Sequence, residues 1–224
     1  MSYACTVEPM RAANLLSKSP LYEVVHFDDG APSESSGPAS IEGTARVGDV
    51  PPLDLFLVIA GGDPLGFGNR GVLRWIAQMA RHCPQVGGVS GGPVLLAKAG
   101  IMDGRRMTVH WEHASALAET APGLLLERRL FVIDRDRVTC GGGTAPLDMM
   151  HALIEDRHGS AFARLVSDWF LHTGIRAAED PQRAGLAERL GTASVPVLDA
   201  VRAMENHIAD PLTLEQLAEI AGIS

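Results

Sequence analysis

The residues with the clearest chemical potential are Gly87-Gly88-Val89-Ser90-Gly91-Gly92, which stand between a short strand-forming run and a helix-forming stretch. Glycines on both sides let the backbone turn sharply, so the Ser90 side chain would project from the carboxyl end of a strand on a strained turn. That is the position of a nucleophile, and Gly88-Val89-Ser90-Gly91-Gly92 satisfies the hydrolase string G-x-S-x-G letter by letter. The same glycines would also serve close packing of a helix on a sheet, so the string alone leaves two readings. His110 follows 20 positions later in Thr108-Val109-His110-Trp111-Glu112-His113. Followed by an aromatic ring and a carboxylate, it suits a general base, a ligand-binding donor or a plain surface residue. Trp111 offers an aromatic wall for a ligand. His110, Glu112 and His113 lack the HExxH spacing and no further ligands stand out, so no metal and no cofactor are expected. Glu8, in Glu8-Pro9-Met10-Arg11, is the remaining candidate: its carboxylate either enters the site or charges the first helix.

The elements that must position these groups read as alternating strands and helices. Ala4 to Ser17 has helical spacing, and Tyr22 to Phe27 is a short β-rich run before the turn Asp28-Asp29-Gly30. Leu55 to Ala60 is almost wholly apolar and ends in Gly61-Gly62, which suits a strand buried on both faces of a parallel sheet. A helix over about 71–82 carries Val72, Trp75, Ile76 and Met79 on one stripe. The elbow strand and a helix over 93–99 follow. Leu130 to Ile133 and Arg137 to Cys140 flank Asp134-Arg135-Asp136 as a hairpin, and helices over about 145–157 and 160–171 complete the block. Such alternation implies an α/β domain with helices on both faces of a mainly parallel sheet, over residues 1–173. Residues 174–196 are polar with weak periodicity and read as a linker. From 197 a helical face returns through Val197, Leu198, Val201, Met204 and Ile208, and Thr213 with Gln216 forms a capping box before the helix Leu214 to Ile220.

Composition narrows the function classes. With 224 residues, 46% apolar and 21% charged, and a mean hydropathy of +0.09, the chain is globular in type. Its longest apolar runs fall far short of the roughly 20 residues that span a bilayer, so no membrane partner is expected. The first residues lack a basic stretch followed by an apolar one, which makes a cytoplasmic location the expectation. A net charge of −8 argues against a surface that grips nucleic acid over most of its area. Cys5, Cys83 and Cys140 are odd in number and show no CxxC spacing, so neither a disulfide framework nor a zinc site is indicated.

The order of these blocks resembles AraC-type transcriptional regulators of the GlxA-like group, whose N-terminal domain belongs to the ThiJ/PfpI superfamily. Glu8-Pro9-Met10-Arg11-Ala12-Ala13-Asn14, Ala60-Gly61-Gly62, Gly88-Val89-Ser90-Gly91-Gly92-Pro93, Thr108-Val109-His110-Trp111-Glu112 and Thr139-Cys140-Gly141-Gly142-Gly143-Thr144 carry the likeness, and it spans nearly the whole chain. Pro211 to Ser224 looks like the opening of an AraC-type helix-turn-helix. The resemblance implies a three-layer fold with a mainly parallel, flavodoxin-like sheet of the class I glutamine amidotransferase kind, followed by an incomplete all-α helix-turn-helix start over residues 197–224. Relative to that family both ends are expected to be incomplete, with a first strand missing before Met1 and the recognition helix beyond Ser224.

Enzymatic members of the superfamily place a cysteine on the elbow, where this chain has Ser90. A thiol is partly ionised near neutral pH, whereas a serine hydroxyl needs an aligned base. Ser90, His110 and Glu8 are therefore read as vestigial, and no enzyme is expected. The alternative is an amidase, hydrolase or deglycase-like enzyme using those three residues. The resemblance implies instead a sensing domain. Backbone N–H groups around Gly62 and Gly91 and the helix start near Gly92 would hold a carboxylate, while Trp111 and nearby acidic groups would receive a cationic end. The expected effector is a betaine, carnitine or arginine-like zwitterion, bound by Glu8, Gly62, Ser90, Gly91, His110 and Trp111. A homodimer is expected, with Thr213 and Ser224 on the DNA-binding side. Residues 176–224 hold four arginines against eight acidic residues, so this chain alone should bind promoter DNA weakly or not at all.

Overall fold

The computed structural model describes all residues except 29, 31, 32, 35–38, 207–211 and 224. It divides into two compact units, Met1–Gln182 and Arg183–Ser224. In the first, α1 (Ser2–Ser17) is followed by four two-residue strands, β1 (Phe27–Asp28), β2 (Ser33–Glu34), β3 (Ser40–Ile41) and β4 (Ala45–Arg46). Then come β5 (Leu55–Ala60), α2 (Arg70–His82), β6 (Gln85–Ser90), α3 (Gly92–Lys98), β7 (Arg106–Met107), α4 (Trp111–Thr120), β8 (Leu125–Leu126), β9 (Phe131–Asp134), β10 (Arg137–Cys140), α5 (Ala145–His158) and α6 (Ser160–Trp169).

The main sheet has the order β5-β6-β10-β9. β5, β6 and β10 are parallel, with Ala60 beside Ser90 and Val89 beside Cys140, while β9 and β10 form the antiparallel hairpin. Because the three parallel strands end level, the glycine runs at 61–62, 91–92 and 141–143 all leave the sheet at one edge. Ligands of open α/β sheets are held at this carboxyl edge.

Successive strand residues point to opposite faces, and the core divides accordingly. Phe56 and Val86 face α2, α3 and α4, where Trp75, Ile76, Met79, Val94, Leu96 and Leu117 are buried. Val89, Val138 and Cys140 face the other way, onto Met149 and Met150 of α5. Behind α5, Ala12 and Ala13 of α1 meet Ala163 and Val166 of α6, where small side chains let the helices approach closely. The architecture is thus the three-layer α/β fold read from the alternation. The α2 stripe is built as its spacing predicts, with Asn69 Oδ1 capping the helix by accepting from the N–H groups of Gly71 and Val72. Each fully buried Ile76 or Met79 contributes about 1.5–3 kcal/mol by leaving water.

Two local readings differ from the structure. The strand read over Tyr22–Phe27 is reduced to Phe27–Asp28, paired in parallel with Ala45–Arg46. The physical cause is Asn14, whose Oδ1 accepts from the N–H groups of Leu21 and Tyr22 while its Nδ2 donates to Tyr22 O. A side chain thus takes backbone groups that a strand would have paired. Helix α4 has only Leu117 fully buried, which explains why no apolar period announces it. Residues 174–182, read as the start of a linker, pack within the first unit.

The second unit holds α7 (Leu186–Leu190), α8 (Val195–Asn206) and α9 (Leu214–Ile220). The capping box is present: Thr213 Oγ1 accepts from Gln216 N at 3.3 Å and Gln216 Oε1 accepts from Thr213 N at 2.9 Å. Val197 and Met204 of the expected apolar face are each 44% exposed, while Ile208 and the DNA-side candidate Ser224 lie outside the described residues. No helix among the described residues is long and apolar enough to cross a membrane.

Candidate functional site

Ser90 ends β6 with φ 62, in the left-handed region that costs a non-glycine residue about 1–2 kcal/mol. Three glycines enforce the conformation. A Cβ at Gly88 would lie 2.5 Å from Pro93 N, one at Gly92 would lie 1.9 Å from Val58 O, and one at Gly142 would lie 2.6 Å from the Cβ of Ser90. The strained turn and the close packing read from the glycine string occur together, since close packing of α3 on the sheet is what fixes the turn. Among the described residues the Ser90 hydroxyl forms no hydrogen bond.

His110 is brought to the elbow by its backbone, its N–H donating to Ser90 O at 3.2 Å. Its ring serves its own helix. As the N-cap of α4, Nδ1 accepts from Glu112 N at a long 3.4 Å, and it lies 3.8 Å from a Glu112 carboxylate oxygen. Burial lowers the His110 pKa from its usual 6.5, the neighbouring His113 lowers it further, and Glu112 opposes both. The imidazole is therefore neutral at pH 7, but no hydrogen bond joins it to Ser90 among the described residues. Trp111, 45% exposed, lies beside it with ring centroids 5.3 Å apart.

Glu8 does not join this group. It pairs with Arg11 at 2.6 Å within α1, both side chains roughly half exposed, and makes no hydrogen bond or ion pair with Ser90 or His110 among the described residues. The expected carboxylate cradle also changes. Gly91 N donates to Ala60 O at 2.9 Å, because the β5 to β6 ladder continues one bond past the strand ends, so that donor is occupied. Pro93 has no N–H, and Val94 N donates to Gly91 O. Gly62 keeps an open flank, with φ 66 and nothing within 4 Å of the position a Cβ would take.

Among the described residues, the group that could hold a metal ion is His110, Glu112 and His113, which bring one donor atom each within 4.8 Å of one another. Against a tightly held cation stand the positive end of α4 and the 67% exposure of the Glu112 side chain. The cysteines do not replace a nucleophile. Cys5, Cys83 and Cys140 are all buried, desolvation raises each pKa, and that of Cys140 is pushed up to about 12. Their thiols stay protonated.

Two polar residues that the sequence reading passed over complete the neighbourhood. Asp148 of α5 has a fully buried side chain. Its Oδ2 accepts from Arg176 Nη2 at 2.7 Å and Nε at 3.0 Å, and its Oδ1 accepts from Arg176 N at 2.9 Å and pairs with His172 Nε2 at 2.8 Å. The hint was available: a carboxylate followed directly by the apolar Met149-Met150 inside a helix calls for a partner. Gln182 gave no hint at all. Its Nε2 contacts Thr108 Oγ1 (3.0 Å), Val109 O (2.9 Å) and Arg129 O (2.7 Å), and its Oε1 accepts from Trp111 N at 2.8 Å.

Comparison with known proteins agrees with this geometry. Residues 6–156 match the DJ-1/PfpI family. The chain is 41% identical, over its whole length and 70% of the relative, to the HTH-type transcriptional regulator GlxA of Rhizobium meliloti (strain 1021). It is 36% identical, over 98% of its length and 65% of the relative, to the HTH-type transcriptional regulator CdhR of Pseudomonas aeruginosa. A crystal structure of an AraC family transcriptional regulator from Pseudomonas putida superposes with a TM-score of 0.65 at 22% identity, covering 75% of this chain and 91% of that one, which establishes the fold. An elbow at the carboxyl edge of a parallel sheet, the family match over most of the first unit and the likeness to HTH-type regulators agree: this chain belongs to the DJ-1/PfpI family.

Proposed function

We propose that the first unit is the effector-sensing part of a transcriptional regulator, and that its ligand is a small zwitterion of the betaine, carnitine or arginine kind. The observation that carries this reading is the state of the elbow. Ser90 is held at real conformational cost, yet among the described residues neither an imidazole nor a carboxylate is hydrogen-bonded to its hydroxyl, and the Gly91 donor beside it is taken. Strain kept without the proton relay suits a pocket wall better than acyl transfer. The half-exposed Trp111 ring and the Glu112 carboxylate offer a cation its partners, and the Ser90 hydroxyl offers a donor to a carboxylate, with space left open at Gly62.

DNA recognition belongs to the longer regulator in this proposal, through an AraC-type domain beginning near residue 197 and acting in the cytoplasm as a homodimer. Residues 176–224 carry the wrong charge sign to hold promoter DNA tightly by themselves.

Calorimetry with glycine betaine, carnitine and L-arginine tests the reading. Binding of one of them without turnover is expected, and Trp111→Ala should weaken it about tenfold, as loss of a cation–π contact does. Hydrolysis of ester or amide substrates by the purified chain, abolished in Ser90→Ala, would establish the hydrolase reading instead.

A further inference from the structure

The chain leaves the first unit along a stitched path. Arg176 is held by Asp148, Ala178 O accepts from Leu130 N at 3.0 Å, and Gln182 is the last residue of the unit. What Gln182 grips is the wall of the candidate site. Val109 O and His110 N belong to the same peptide group: the carbonyl accepts from Gln182, and the N–H donates to Ser90. The next peptide group, through Trp111 N, donates to the other end of the same glutamine amide. Both peptide groups flanking His110 are therefore clamped by one side chain. Its orientation is fixed by chemistry, since Nε2 has only hydrogens to give and faces three oxygens, while Oε1 faces an N–H. Gly141 makes room for it, because a Cβ there would lie 2.5 Å from Gln182 Cδ and 2.7 Å from both Nε2 and Oε1.

We propose that Gln182 is a positioning residue that couples the His110–Trp111 wall to the chain emerging at Arg183, so that a displacement of either is felt by the other. In the regulator this would link pocket occupancy to the second unit, a use that rests on the sensing reading. A ligand that contacts Trp111 or His110 cannot shift that turn without straining or breaking the amide clamp, and the clamped residue directly precedes Arg183.

The 224-residue chain without ligand suffices for the test. Gly141→Ala and Thr108→Val lie far in sequence from the exit. Gly141→Ala should eject the Gln182 side chain, and Thr108→Val removes one of its oxygen partners. Gly141→Ala should speed tryptic cleavage after Arg183 about tenfold and Thr108→Val by less, with melting curves showing that each variant is folded. In the reverse direction, Gln182→Ala should speed hydrogen exchange at the Trp111 amide about tenfold. The double variant Gly141→Ala/Gln182→Ala should be cleaved no faster than Gln182→Ala alone, because the added methyl acts through the glutamine side chain, whereas a methyl that loosened the exit by another route would add to the loss of the glutamine. Unchanged cleavage after Arg183 in folded Gly141→Ala, additive effects in the double variant, or an unchanged Trp111 amide in Gln182→Ala would each overturn the proposal. Since no effector is present, failure here leaves the sensing reading intact, and failure of calorimetry to find a ligand leaves a measured coupling standing.

Discussion

The elbow around Ser90 and the ion cluster around Asp148 are both polar sites of the first unit, but their side chains are used in opposite ways. At the elbow, glycine contacts and backbone hydrogen bonds fix everything, and the Ser90 hydroxyl is left without a partner among the described residues. At the cluster the side chains do the fixing: both oxygens of a fully buried carboxylate are engaged by Arg176 and His172. Buried polar groups that are fully satisfied rigidify what they touch. The difference teaches where polar chemistry has been invested. It holds down the segment that leads out of the unit, while the elbow side chains form no such network among the described residues.

Removing the carboxylate of the cluster should therefore have the largest effect. Asp148→Ala leaves Arg176 and His172 without their shared acceptor. Because the Arg176 side chain is 37% exposed and can return partly to water, the cost should sit at the lower end for a broken buried pair, about 3 kcal/mol, or about 6–12 °C in Tm. Thermal unfolding of the two proteins measures it. A loss no greater than that of Ser90→Ala would erase the contrast.

The elbow should respond in the other direction. Ser90→Gly removes a left-handed non-glycine residue at the cost of some unfolded-state entropy, so a net gain of about 1 kcal/mol is expected in urea unfolding. Ser90→Ala keeps the strain and loses a hydroxyl with no hydrogen bond, so its stability should stay within about 0.5 kcal/mol of the parent. If Ser90→Ala instead cost about 2 kcal/mol, the hydroxyl would have to be bonded in solution, and the elbow would resemble the cluster more than it does here.

The contrast also marks what the sequence could reveal. The parallel strands, the β9 to β10 hairpin and the α2 stripe follow from apolar period and glycine placement, which act locally. Ser90 was legible as an elbow because its flanking glycines are adjacent in the chain. Whether a base reached it was not legible, since His110 is drawn to its own helix by Glu112 N, a preference that depends on where α4 begins. Gln182 was invisible for a related reason: its partners at Thr108, Val109, Trp111 and Arg129 are brought to it only by the folded exit path. Asp148 stood between, because a carboxylate beside Met149 and Met150 announces a need for a partner without naming Arg176.

The smallest expected effect concerns His110 and separates capping from proton transfer. Burial and the charge of His113 lower its pKa in the folded chain below the 6.5 of an unfolded histidine. As pH falls through 6.5, the unfolded state takes up the proton first, so His110 contributes stability that is fully present above 6.5 and declines through the window down to its lowered folded value. Asp28 and Asp134, whose pKa values lie below the usual 3.8, lose their contributions in a separate and more acidic range. His110→Asn tests the assignment, because asparagine is a good N-cap that can still accept from Glu112 N and does not titrate. The parent should lose slightly more Tm than His110→Asn between about pH 7 and about pH 5.5, and the two should match in the alkaline arm. Parallel curves across that range would mean that the His110 ring is more open to water than its place in α4 indicates. The cap would then contribute little to holding the first turn of α4.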